Sequence, residues 1–311
     1  MRGAFLFLAL SPILAAGQGP IETRNARAPS LTFLRLNPRG PLLAPGERSF
    51  RFGLMSANNL RLRDGVREDQ ETERAEVRLG WGVARGEWTL HVPFLSRGGG
   101  FMDPLILGYH RLIGIHNQRE TIPFGRSEEI LPGIGSFGSA TGLGDISATY
   151  SHAVSPNTFA SFAVKLPTGN AGSLLGSGNV DVGMALYKRW RLGARFNLYG
   201  QIGGIYQGKP TRLRFARSLV DQESLALEFL QSSRDAFTFQ WQSEPSALIL
   251  GSRTFDGPHR QLSVGYTRQI NPRDTVQFFM TEDGDFLNYR VPILVNVAPD
   301  ISLGVNFTRR F

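Results

Sequence analysis

Residues 75–94 read Ala-Glu-Val-Arg-Leu-Gly-Trp-Gly-Val-Ala-Arg-Gly-Glu-Trp-Thr-Leu-His-Val-Pro-Phe. Ala75, Val77, Leu79, Trp81 and Val83 alternate with Glu76, Arg78, Gly80 and Gly82. After a short turn around Arg85-Gly86 the alternation resumes at Trp88, Leu90, Val92 and Phe94. A period of two sends successive side chains to opposite faces of a sheet, so this stretch predicts two amphipathic antiparallel strands.

The pattern recurs along the chain. Phe50/Phe52/Leu54 precedes it; Ile146/Ala148/Tyr150, Phe162/Val164/Leu166, Val180/Val182/Met184/Leu186 and Phe196/Leu198/Ile202 follow. Leu225/Leu227/Phe229, Phe237/Phe239/Trp241, Leu262/Val264/Tyr266, Val276/Phe278/Met280 and Ile301/Leu303/Val305/Phe307 bring the total to twelve segments. Tight turns are expected around Ser155-Pro156-Asn157, Leu192-Gly193, Ser232-Ser233 and Asn271-Pro272-Arg273. Longer connections are expected at 61–72, 96–142, 168–178, 208–222, 243–260 and 282–299. Short connections on one side and long ones on the other describe an all-β, transmembrane, antiparallel up-and-down barrel of about twelve strands.

The faces opposite the apolar residues separate a membrane barrel from a soluble sandwich. They carry small and polar residues, such as Asp181, Gly183 and Ala185, or Asn197, Tyr199, Gln201 and Gly203. Such residues suit a confined polar lumen, and Phe, Leu, Val and Trp suit lipid. The register points Arg51, Glu76, Arg78, His91, Asp145, Lys165, Asp181, Arg195 and Glu228 inward. Both signs are present, so these groups either pair across a narrow lumen or, through the Arg and Lys positions, favour anions in a channel.

Composition excludes several alternatives. The 311 residues contain no Cys, which removes disulfide scaffolds, thiol catalysis, cysteine-held metals and a lipid-modified cysteine anchor. The net charge of +8 is carried by dispersed Arg with no basic cluster, so no nucleic acid partner is implied. No apolar run of helical membrane length follows the N-terminus. That N-terminus reads as a secretory signal peptide over residues 1–17: Arg2, the apolar stretch 4–10, the break at Ser11-Pro12 and the small residues Ala15-Ala16-Gly17. Residues 18–47, with Pro20, Pro29, Pro38, Pro41 and Pro45, read as an arm preceding the barrel of residues 48–311.

One long connection carries a helix signature. Asp103-Pro104 starts it, Gly114 ends it, and Leu105, Tyr109 and Leu112, with Ile106 and Ile113, share a face that needs cover. This segment, at residues 103–114, is expected to fold into the barrel mouth as a partial plug.

The strings GGGFMDPLILGYHRLIGIHNQR (98–119), TRNARAP (23–29) and PDISLGVNFTRRF (299–311) resemble an uncharacterised family of bacterial outer-membrane proteins known as a domain of unknown function. The resemblance implies a barrel in the Gram-negative outer membrane and marks Asp103, His110, Arg111 and Arg119 as motif positions. The segment Thr141-Gly142-Leu143-Gly144-Asp145 is similar to barrels associated with aromatic-compound degradation. The C-terminus resembles the terminal-strand signal of such barrels, with Phe307 and Phe311 in register for the assembly machinery and Arg309 out of it.

Enzymatic readings lack the required pairings. Ser151 and His152 are strand neighbours and point to opposite faces, and His91 has no serine partner in sequence. His110 and His116 are poorly spaced for a shared metal, and Glu282, Asp283 and Asp285 read as an acidic turn more readily than as a Ca²⁺ site. The chain is therefore expected to be a non-enzymatic barrel without cofactor or metal, surrounded by outer-membrane lipid. Its expected role is passage of a small amphipathic or anionic molecule, with a structural or interaction barrel of filled lumen as the alternative.

Overall fold

The computed structural model describes residues 18–112, 114, 118–282 and 301–311. The expected signal peptide at residues 1–17, His116, Asp283, Asp285 and most of the last long connection lie outside the described residues.

A single turn of helix, α1 (Ala28–Leu31), interrupts the N-terminal segment. The barrel then begins with β1 (Arg48–Arg63), β2 (Val66–Val83) and β3 (Gly86–Gly98), followed by α2 (Asp103–Leu112) and the short strands β4 (Glu128–Leu131), β5 (Gly135–Phe137) and β6 (Ala140–Leu143). Hairpins continue with β7 (Ser147–Ser155), β8 (Thr158–Lys165), β9 (Asp181–Arg191), β10 (Phe196–Tyr206), β11 (Leu219–Leu230) and β12 (Asp235–Pro245). The circuit ends with β13 (Pro258–Gln269), β14 (Asp274–Glu282) and β15 (Ile301–Arg310). Each long strand pairs antiparallel with its neighbours, and β15 returns to β1, with Ser49 opposite Arg310 and Asn58 opposite Ile301. The result is a closed barrel of twelve strands, and its strands are the twelve segments of alternating sequence.

Closure removes every free sheet edge around the ring, which a lipid-facing sheet requires. The outward faces are apolar: Leu54, Phe94, Phe162, Met184, Ile202, Leu225, Phe239, Val264 and Phe278 are all exposed. Just inside the short turns, aromatic residues pair across strands. Trp88 stands 4.9 Å from Tyr150, Phe196 5.2 Å from Phe229, and Phe237 5.2 Å from Tyr266, ring centre to ring centre. An apolar wall ending in an aromatic girdle is the surface of a membrane-spanning barrel. Arg309, out of place in the terminal pattern, forms a two-pronged pair with Asp274 at 2.7 Å beside a turn.

Two sequence expectations are corrected. Residues 61–72 are not a loop: β1 and β2 continue as a hairpin to a two-residue turn at 64–65. Their charged residues had obscured the alternation. Helix α2 forms as expected, but it buries Asp103, Ile106, Leu107 and His110, leaving Leu105 and Leu112 exposed. Met102 and Ile106 pack on Ile301 at the loop end of the barrel. The plug is a different segment: residues 18–47 are largely buried inside the ring.

Leu225 lies mid-strand on the lipid face of β11. Leu225→Arg is expected to cost about 2–4 kcal/mol at that depth, read as a lowered urea midpoint for the heat-modifiable gel band in lipid or detergent.

Candidate functional site

The N-terminal segment enters the lumen at the end of the short turns, runs to the loop end, reverses at α1 and returns. Gly19 and Gly40 meet where its two limbs cross, so closely that a Cβ on Gly19 would stand 3.0 Å from the Gly40 Cα. The segment leaves past Gly82, where a Cβ would fall 2.0 Å from the Ala44 carbonyl oxygen; glycine is required there for the limb to pass. Backbone bonds from Gly46 N to Gly82 O (3.0 Å) and from Gly82 N to Glu47 O (2.9 Å) fix the exit.

Inside, wall side chains replace the missing strand partners of this backbone. Glu228 accepts from the backbone nitrogens of Gln18 (2.6 Å) and Gly19 (3.0 Å). Gln240 accepts from Ile21 N at 2.9 Å and donates to Ile21 O at 2.8 Å. On the returning limb, Leu34 N donates to Asp181 (2.9 Å), Leu36 N to Gln222 (3.1 Å) and Leu43 N to Glu87 (2.9 Å).

Charge reinforces this attachment. The segment contributes Arg24, Arg27, Arg35 and Arg39 against Glu22. The surrounding wall contributes Glu68, Glu76, Glu87, Asp181, Glu228 and Glu244, with Asp145 from the connection before β7, against Arg51, Arg74, Arg78 and Lys165. A predominantly cationic peptide therefore sits in a predominantly acidic barrel. Arg27, at the reversal, donates through Nε and Nη2 to both Glu68 oxygens (2.9 and 2.6 Å) and lies over the Phe255 ring at 4.0 Å. Arg39 pairs with Glu87, Arg35 with Glu244, and Glu22 with both Arg51 and Arg78.

The predicted inward residues are gathered here, with one exception. Arg51, Glu76, Arg78, His91, Asp145, Lys165, Asp181 and Glu228 face the lumen. Lys165 bridges Asp145 and, at 3.3 Å, Asp181, while His91 contacts Arg74 and Glu76 at 3.1 and 3.0 Å. Arg195 is corrected: it lies exposed in the turn between β9 and β10, its carbonyl accepting from Leu230 N. In the loop motif, Asp103 and Arg119 pair at 3.0 Å and Arg119 meets Asp69 at 2.8 Å; His110 is buried and Arg111 is exposed. Glu71 accepts from Phe101 N, Met102 N and Asp103 N and so closes the start of α2. This motif builds the rim.

The loop end is shut by apolar packing. Ala28 and Phe33 of the plug join Val66, Leu131, Phe137, Leu174, Leu213, Ala247, Leu248 and Phe255 in one buried cluster. Also at the loop end, in β4, burial and the adjacent Glu68 push the Glu129 carboxyl well above the usual carboxylate range.

Three cavities follow the plug inward from the turn end. The first, about 210 Å³, is lined by Pro38, Leu42, Phe159, Tyr187 and Tyr199, with Phe159 and Tyr187 stacked at 4.7 Å. The second, also about 210 Å³, is lined by Glu22, Arg51, Arg78 and Glu87. The deepest, about 50 Å³, is lined by Arg24, Arg35, Arg74, Arg78, His91, Lys165 and Asp145. Arg39 borders all three. Arg24 is nine-tenths buried, bonds only to the Ser30 and Phe33 carbonyls, and has no carboxylate partner among the described residues.

A family model described as "Protein of unknown function (DUF3187)" matches residues 13–311. The chain belongs to that family. No curated protein matches it. Among solved structures it is similar to the CymD monoaromatic hydrocarbon channel, with 12% identity over 86% of this chain and 89% of that one and a TM-score of 0.41. It is also similar to the P. putida toluene transporter TodX, with 8% identity, 92% and 93% coverage and a TM-score of 0.44. A third is the NanC porin, with 7% identity, 84% and 98% coverage and a TM-score of 0.46. These likenesses carry no argument about cargo, and the barrel rests on its own strand pairing. In this family member, sequence reading identified the wall charges but missed the plug that they hold. Proline marked residues 18–47 as extended without revealing that they double back inside.

Arg27→Leu leaves Glu68 buried without its partner, and breaking such a pair costs about 3–5 kcal/mol. Amide exchange across residues 19–36 should accelerate while the exchange of β15 stays unchanged.

Proposed function

We propose that this protein is a plug-gated passive channel of the Gram-negative outer membrane for small anionic, partly apolar molecules. The observation that carries this reading is the deepest cavity, where Arg24, Arg35, Arg39, Arg74, Arg78 and Lys165 stand against Asp145 as the one lining carboxylate among the described residues. Cations concentrated in a low-dielectric passage attract anions and repel cations. The Phe159–Tyr187 stack and neighbouring prolines of the first cavity suit the apolar part of such a molecule. The apolar belt supports a lipid surround, and the terminal pattern at Phe307 and Phe311 supports recognition by the barrel assembly machinery.

A second reading is a structural or interaction barrel whose function lies in its loops. The filled lumen and the apolar cluster over its loop end favour that one.

Planar-bilayer recordings separate the two. The intact chain should pass a small current that prefers anions. Excising residues 20–45 should enlarge it and reverse the preference, because Glu68, Glu87 and Glu244 lose their arginine partners on the plug. Silence from both forms, or cation preference in the intact chain, sinks the channel reading.

A further inference from the structure

Glu228, on the polar face of β11 near its turn end, has no exposed surface. Its four donors are Gln18 N at 2.6 Å, Gly19 N at 3.0 Å, Asn197 Nδ2 at 2.9 Å and Tyr199 Oη at 2.8 Å. It forms no ion pair with Lys, Arg or His among the described residues, although the other lumenal carboxylates that touch the plug from the strands, Glu68, Glu87, Asp181 and Glu244, each meet a cation. A buried carboxylate without a counter-ion is costly. The shortest of its four contacts is to the backbone nitrogen of Gln18.

The residues preceding that nitrogen are Leu14-Ala15-Ala16-Gly17. Cleavage after Gly17 places Gly17 and Ala15 at the two positions where leader peptidases require small side chains, whereas cleavage after Ala16 would place Leu14 at the outer of them. Hydrolysis of the Gly17–Gln18 bond consumes one water, leaves a carboxylate on Gly17, and converts the Gln18 amide nitrogen into an amine that is protonated at neutral pH.

We propose that leader removal at Gly17–Gln18 creates the missing counter-ion: the mature N-terminal ammonium of Gln18 is held by Glu228, and this pair seats the plug. An uncleaved chain presents only a neutral amide there. Export processing and closure of the lumen are thereby coupled through one charge. This inference is independent of whether the barrel conducts.

The test begins with the mature protein extracted from outer membranes. Intact mass and N-terminal sequencing should give Gln18 as the first residue with a free amine. A start at any other residue, or a mass lower by one ammonia from cyclisation of the terminal glutamine, overturns the proposal. Two variants then probe the charge: Glu228→Gln, and an insertion of Gly-Ser between Gly17 and Gln18 that moves the ammonium away. Amide exchange of Gly19 to Glu22, with β15 as internal reference, should accelerate about tenfold or more in each variant, since breaking a buried pair exceeds the 1.4 kcal/mol of a tenfold change. The combined variant should be no faster than either alone, the signature of one shared interaction. Exchange like that of the unaltered chain in the insertion variant, or additive effects in the combined one, overturns the proposal. The mass measurement on the unaltered chain decides the cleavage even where a variant fails to assemble.

Discussion

Backbone that lies inside a barrel without being part of its sheet must still satisfy its N–H and C=O groups, and the remaining structure follows from that requirement. The plug has no strand beside it. Its amides are met instead by side chains projecting from the wall, and Gln240 alone supplies an acceptor and a donor to Ile21. This explains the choice of Gln, Glu, Asp and Asn along the inner faces of β9 to β12: they are long or branched enough to imitate a neighbouring strand. Eight strands would leave no room for such a double-stranded filling, and sixteen would leave a water channel around it.

Electrostatics adds a second layer to that arrangement. The wall is richer in carboxylates and the plug is richer in guanidinium groups, so neither is balanced alone. Buried pairs of this kind contribute little net stability over an apolar filling, but they penalise any register in which a partner is lost. The bidentate contact of Arg27 with Glu68 and the bracket of Glu22 by Arg51 and Arg78 therefore specify position more than they add strength. The apolar cluster of Ala28 and Phe33 with the loop residues then supplies the burial at the reversal.

How much of this was legible in the sequence depends on the range of the interactions. Strand alternation is local, so all twelve barrel strands, the tight turns and the ten-residue helix could be read directly, and with them the inward direction of Glu76, Lys165 and Glu228. Residues 61–72 read as a loop because polar groups there face a covered loop end, not lipid, which erases the period-two contrast. Arg195 lies one residue before β10, in a turn, where period-two alternation no longer sets direction. The plug was not legible because its contacts join residues far apart in the chain: Ile21 meets Gln240 across 219 positions. Nothing in a short window distinguishes an extended segment in solution from one threaded into a lumen.

The crossing of the two limbs at Gly19 and Gly40 gives the plug an unusual mechanical status. Residues 41–47 tie it covalently to β1 at the same mouth through which it enters, so it is a loop hung from one rim. It can swing out toward the turn side, but it cannot be swept through the loop end or lost. Once displaced it remains at an effective concentration of the order of millimolar or above relative to its own seat. Reseating is then a unimolecular event, indifferent to how many copies share the membrane, and any vacancy in the lumen is one that the chain refills by itself.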